Sequence, residues 1–256
     1  MAETREDVTP GIHEITLDSF RDFAPLIATE FNNTRRYVWR GQRCDNWPLE
    51  PSFSRRTKGK KTDRAKLAEL QLKRFRRAVR GKRGVNPQNL SDDELWALGQ
   101  HFGLATPLLD WTVSPFVALY FAFAETTTQE DSGYRCVFAL NKPRVRELSK
   151  EVVKGFPDLA YDTVRFFEPE ADENARVLSQ RGLFSIGPIT CAIDEWIEEH
   201  CDEHSEDLLV RILLPEEDRA DCLRMLNRMN INHLTLYPDL MGAAHFTNIH
   251  LDVLNY

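Results

Sequence analysis

Ten consecutive residues, Pro115–Ala124 (PFVALYFAFA), carry no charged side chain, and a helix that is apolar all round has no face to offer to water. Ser114 and Pro115 mark its start, because serine caps a helix and proline is tolerated in the first turn. The segment therefore reads as a buried helix. Around it the chain alternates between strand and helix signals. Residues 36–40 read as a short strand that stops at Gly41, and Trp47-Pro-Leu-Glu-Pro51 cannot be helical. Asp18 is placed to cap a helix to Asn33, and Asp63 one to about Arg80. Ser91-Asp-Asp-Glu94 is a capping box for a helix that Gly103 ends. Residues 104–112 are too short and too Pro-interrupted for a helix. Further strands are expected at 134–140, 183–188 and 208–214, with helices at 144–154, 193–201 and 216–229 and a turn at Tyr237-Pro238-Asp239. With no internal repeat and no Gly-, Pro- or Ser-rich linker, the reading is one mixed α+β domain over residues 12–256 behind a disordered stretch, 1–11.

The 256 residues are 42% hydrophobic, enough for a sizeable core. No apolar run reaches the roughly 18 residues of a membrane helix and the opening residues lack a secretory layout, so a cytoplasmic protein is expected. Five cysteines without a CxxC pair argue against a disulfide framework and a zinc ribbon. The net charge of −7 is uneven: residues 55–84 hold fourteen Lys or Arg against Asp63 and Glu69, a local +12 that leaves −19 elsewhere. Such a block is either a solvated helical face or a docking surface for nucleic acid or an acidic protein, with Arg74, Arg76, Arg77 and Arg80 as its candidates.

Polar residues inside apolar surroundings mark where chemistry could sit, because an unpaired buried charge is costly. Arg40 lies between aromatics and Gly41, and a buried guanidinium wants a carboxylate or a phosphate. His101, Thr106, Asp110 and Thr112 punctuate a stretch that otherwise reads as core. Asp110 is the natural charge partner of Arg40 or His101, and Thr112 is either a helix cap or a catalytic hydroxyl. Gln180 precedes a strand, behind the acidic loop 168–173. The chain has no GxGxxG, Walker, HExxH or GxSxG motif. His200 and His204, among acids near a helix end, make a poor metal pair, and no metal is expected. Arg40, His101, Asp110, Thr112 and Gln180 are expected to converge on one cleft.

Taken in order, Trp39-Arg40-Gly41, Gln100-His101-Phe-Gly103 through Asp110-Trp-Thr112 and Ser114-Pro115, Gln180-Arg-Gly182, and Tyr237-Pro-Asp-Leu-Met-Gly242 resemble the FRG domain family over residues 36 to 245. The same residues are similar to the skeleton of an ADP-ribosyltransferase, which implies a split β-sheet core with flanking helices and NAD as the substrate. By this resemblance Arg40, Gly41, Gln42, His101, Thr106 and Trp111 would contact NAD, and Arg40, Asp110, Thr112 and Gln180 would carry the reaction. Gly182 stands where the transferase pattern has its catalytic acid, leaving either Glu173 or a mechanism that relies on Gln180. The resemblance implies a toxin or phage-defence effector acting on a nucleic-acid or protein acceptor, of a kind that an antitoxin could restrain. The alternative is a non-enzymatic binding module on the same fold.

Overall fold

The computed structural model describes residues 9–32, 34–60, 63–84, 89–126, 132–156, 162–169, 179–202, 205 and 207–256. Strands β1 (Ile12–Thr16), β2 (Tyr37–Gln42), β3 (Leu108–Thr112), β4 (Tyr134–Asn141), β5 (Arg165–Phe167), β6 (Gly182–Ile186) and β7 (Leu209–Pro215) form one mixed sheet in the order β1-β7-β4-β2-β3-β6-β5. Among these strands only β1 and β7 run parallel; the other pairings are antiparallel. The described helices are α1 (Phe23–Glu30), α2 (Ser52–Thr57), α3 (Arg64–Ala78), α4 (Asp92–His101), α5 (Pro115–Ala124), α6 (Lys142–Gly155), α7 (Ile193–His200), α8 (Arg219–Arg228), α9 (His233–Leu236) and α10 (Leu240–Asp252). This is the expected α+β architecture.

The sheet is weakest in its middle. β2 and β4 pair at six positions, but β2 meets β3 at one alone, Trp39 opposite Thr112. Beyond that pair the two strands separate, and the space between them is where the site lies.

Local signals explain most elements. Asp63 accepts from the backbone of Ala65 and Lys66 at the start of α3, Ser91 and Glu94 form the capping box of α4, and Ser114 accepts from Val117 N. The helix expected from Asp18 is instead a 3-10 turn, Phe20–Asp22, capped by Ser19 and running into α1. Strands β1 and β5 and helix α2 go beyond the sequence expectations. Each is short, and α2 begins directly after Pro51, although the two prolines argue against helix. Residues 1–8 lie outside the described residues; Thr9 to Gly11, expected to be disordered with them, form a turn, and the Gly11 carbonyl accepts from Leu208 N and Leu209 N.

Helix α5 crosses β2 on one face of the sheet with α1 and α8, and Ala118, Leu119, Tyr120, Ala122 and Phe123 are wholly buried there. Burying side chains such as Leu119 and Phe123 contributes about 1.5–3 kcal/mol each. The opposite face packs Val38, Phe138, Leu140 and Leu209 against Val145 and Val152 of α6 and Trp196 and Ile197 of α7. A third cluster seats α3 and α4 on Leu108, Phe184 and Ile186. Gly41 is required where α5 crosses β2, since a Cβ there would overlap the Ala118 carbonyl oxygen.

Candidate functional site

A cleft of about 840 Å³ opens where β2 and β3 part, within the range of small-molecule and cofactor sites. Arg40, Gly41, Gln42, His101, Asp110, Trp111, Thr112 and Gln180 all line it, so the convergence expected from sequence is met across residues 40 to 180.

Arg40 spans the opening. Its Nη1 donates to the Asp110 carbonyl oxygen at 2.9 Å, while the Asp110 carboxylate stands 3.9 Å away. The anticipated Arg40–Asp110 ion pair is therefore long, and the short bond runs to β3 backbone that pairs with β6 but not with β2. The Arg40 side chain is 22% exposed, and its Nε has no hydrogen-bond partner. Burial pulls the guanidinium's pKa down; Asp110 pushes it back up, and the charge of Arg55 lowers it again. The cation is held at a cost that an incoming anion would offset.

The Asp110 carboxylate is aimed by a relay. The fully buried Thr106 hydroxyl donates to Gln100 Oε1, which leaves Gln100 Nε2 to donate to Asp110 Oδ2 at 2.8 Å. Thr106, expected to contact NAD, thus acts behind the cleft wall. Asp110 is the exposed residue of an otherwise buried strand, its side chain 62% exposed.

Two expected catalytic groups are engaged internally. Thr112 Oγ1 donates to the Gln180 carbonyl at 2.7 Å and accepts from Ser114 N at 3.1 Å. It ties β3 to the segment before β6, and Ser114 is the helix cap. Gln180 Nε2 donates to the Leu236 carbonyl at 3.3 Å. The Trp111 indole donates to Ser185 Oγ at 2.9 Å, pinning β3 to β6, and its ring packs in the core. Glu173 lies outside the described residues, as does His204; His200 Nδ1 bonds the Trp196 carbonyl at 2.9 Å.

Sequence reasoning missed the rest of the lining. Arg43 pairs with Glu125 at 3.3 Å and lies over the Trp47 ring at 4.8 Å. Arg55 and Lys58, from the end of α2, reach the cleft, as do Glu50, Phe121 and Tyr237. The basic segment thus contributes to the site through its first cations, whereas Arg74, Arg76, Arg77 and Arg80 lie exposed on and just beyond α3, Arg76 paired with Asp92. A smaller cavity of about 370 Å³ shares Arg43, Phe121, Glu125 and Tyr237 with the cleft. Its His233 stacks between Tyr237 and His245 and is bonded through Nδ1 to the Tyr120 hydroxyl. Burial and the neighbouring His245 pull the His233 imidazole down to about 4.

A layered α+β domain with its cleft at a parted pair of strands defines the class. Residues 35–131 match the family model of the FRG domain. The matched span takes in β2, α4, β3 and α5 and most of the residues that line the cleft; Gln180 and Tyr237 are brought to it from beyond. No curated protein and no solved structure matches the chain. No described helix is long and apolar enough to cross a membrane.

Proposed function

We propose that the cleft binds NAD and that the protein is an ADP-ribosyltransferase of the cytoplasm, modifying a macromolecular acceptor. The observation that carries this reading is the pair Arg40 and Arg55: two cations close enough to disfavour each other, in one cleft, one of them desolvated. A pyrophosphate is the kind of ligand that relieves such a pair. In the reaction the bond between nicotinamide and ribose C1′ breaks, nicotinamide leaves, the acceptor nucleophile bonds to C1′ and its proton passes to solvent. Positive charge develops on the ribose, and the Asp110 carboxylate, aimed by Gln100, supplies the stabilising anion. An antitoxin-restrained toxin or a phage-defence effector is the biological setting in keeping with this activity.

One observation favours the second reading, a binding module without chemistry: the Thr112 and Gln180 side chains already serve internal hydrogen bonds. Incubating the protein with adenine-labelled NAD and lysate separates the two. Release of nicotinamide with label in nucleic acid or protein supports the transferase; NAD left intact, with no label transferred, rejects it.

A further inference from the structure

Arg40 and Gln42 sit two residues apart on β2 and so share a face of the strand, and both line the cleft. Each carries a polar atom that is shut off from water and has no hydrogen-bond partner: Arg40 Nε, a donor, and Gln42 Oε1, an acceptor. Gln42 as a whole is 7% exposed. A buried polar atom without a partner costs about 1–3 kcal/mol, and in native proteins each such atom calls for an explanation. Rotating the guanidinium to find a partner would break the bond from Arg40 Nη1 to Asp110.

The two orphans are of opposite kind. A phosphate or carboxylate would satisfy Arg40 but set its lone pairs against Gln42 Oε1. An apolar group would satisfy neither. A planar edge with an acceptor beside an N–H donor satisfies both, and reaching it takes a side-chain adjustment of the sort common on binding. We infer that Arg40 Nε and Gln42 Oε1 together recognise an amide-like edge of the ligand, the acceptor facing Arg40 and the N–H facing Gln42. The inference rests on the NAD reading for the ligand's identity. NAD carries two such edges, the carboxamide of its nicotinamide and the amino edge of its adenine.

The test is calorimetric titration of the full chain. The probes are NAD, its analogue with a carboxylate in place of the carboxamide, ADP, its analogue lacking the adenine amino group, and free nicotinamide and adenine. At least a tenfold loss on replacing the carboxamide assigns the edge to nicotinamide; the same loss on removing the amino group assigns it to adenine. In Gln42→Met, close in shape and apolar, that discrimination should vanish. The comparison between probes in the unaltered protein holds even if this variant fails to fold. If NAD binds and neither replacement costs tenfold, the inference is overturned while the NAD reading survives. If NAD does not bind but nicotinamide or adenine does, and Gln42→Met abolishes it, the inference stands and the NAD reading falls. If no probe binds, both fall.

Discussion

Arg40 and Arg77 are the same side chain in opposite circumstances. Arg77 stands exposed on α3, where water solvates its charge and any anion it meets competes with salt. Arg40 bridges the parted strands β2 and β3, largely buried, with one nitrogen fixed to the Asp110 carbonyl and another without a partner. The first kind of cation acts through numbers, the second through position. The +12 of residues 55–84 draws attention to the first kind, yet among the described residues of that block the cleft takes only Arg55 and Lys58.

Arg40 depends on the close packing of β2 against α5. Gly41→Val drives a side chain into α5 beside the Ala118 carbonyl, and overpacking of this kind costs about 1–3 kcal/mol or more. Denaturant unfolding should show a drop in stability at or above the top of that range; a drop under about 1 kcal/mol would mean that β2 and α5 do not pack as closely as described. Next comes Arg40→Met. If Arg40 serves a ligand, removing a strained buried charge leaves stability unchanged or slightly higher, whereas breaking a true buried ion pair would cost about 3–5 kcal/mol. The matched Arg77→Met should stay within about 0.5 kcal/mol in either case.

Two smaller effects sharpen the contrast. Thr106→Val frees the Gln100 amide to turn, so Asp110 loses its aim; nicotinamide release should fall about tenfold, equivalent to about 1.4 kcal/mol, with NAD affinity unchanged. An equal fall in affinity would mean that the relay shapes the binding site rather than the reacting group. Reversing Arg74, Arg76, Arg77 and Arg80 should flatten the salt dependence of nucleic-acid binding by about 0.7–0.9 log units for each phosphate that is no longer neutralised, and spare NAD turnover to water. Unchanged, salt-insensitive acceptor binding would leave the α3 cations as a solubilising surface.

Much of the architecture follows from local chemistry that a sequence displays. Ser91 with Glu94, Asp63, and Ser114 with Pro115 each specify a helix start through atoms a few residues apart, and the structure uses all of them. The cleft's central residues are visible in the sequence as polar groups inside apolar runs: Arg40 on β2, Asp110 on β3. What each one bonds is not visible there. Thr112 turns its hydroxyl to the Gln180 carbonyl, and Gln180 its amide to Leu236, through long-range contacts that no spacing records. Arg55 and Lys58 are hidden in a charge run, because which cations of a run border the cleft depends on α2, a helix that follows two prolines. Phe121 is hidden in the apolar α5, where any aromatic reads as core.

Under the proposed function, Arg40 holds an anionic nucleotide in the gap between β2 and β3. The most direct test is calorimetric titration of NAD into the native protein and into Arg40→Met, with thermal midpoints recorded alongside. Expected are saturable binding to the native protein, a loss of at least about 100-fold in the variant, equivalent to about 2.7 kcal/mol, and midpoints within a few degrees of each other. Equal affinity in two equally stable proteins would contradict this role of Arg40.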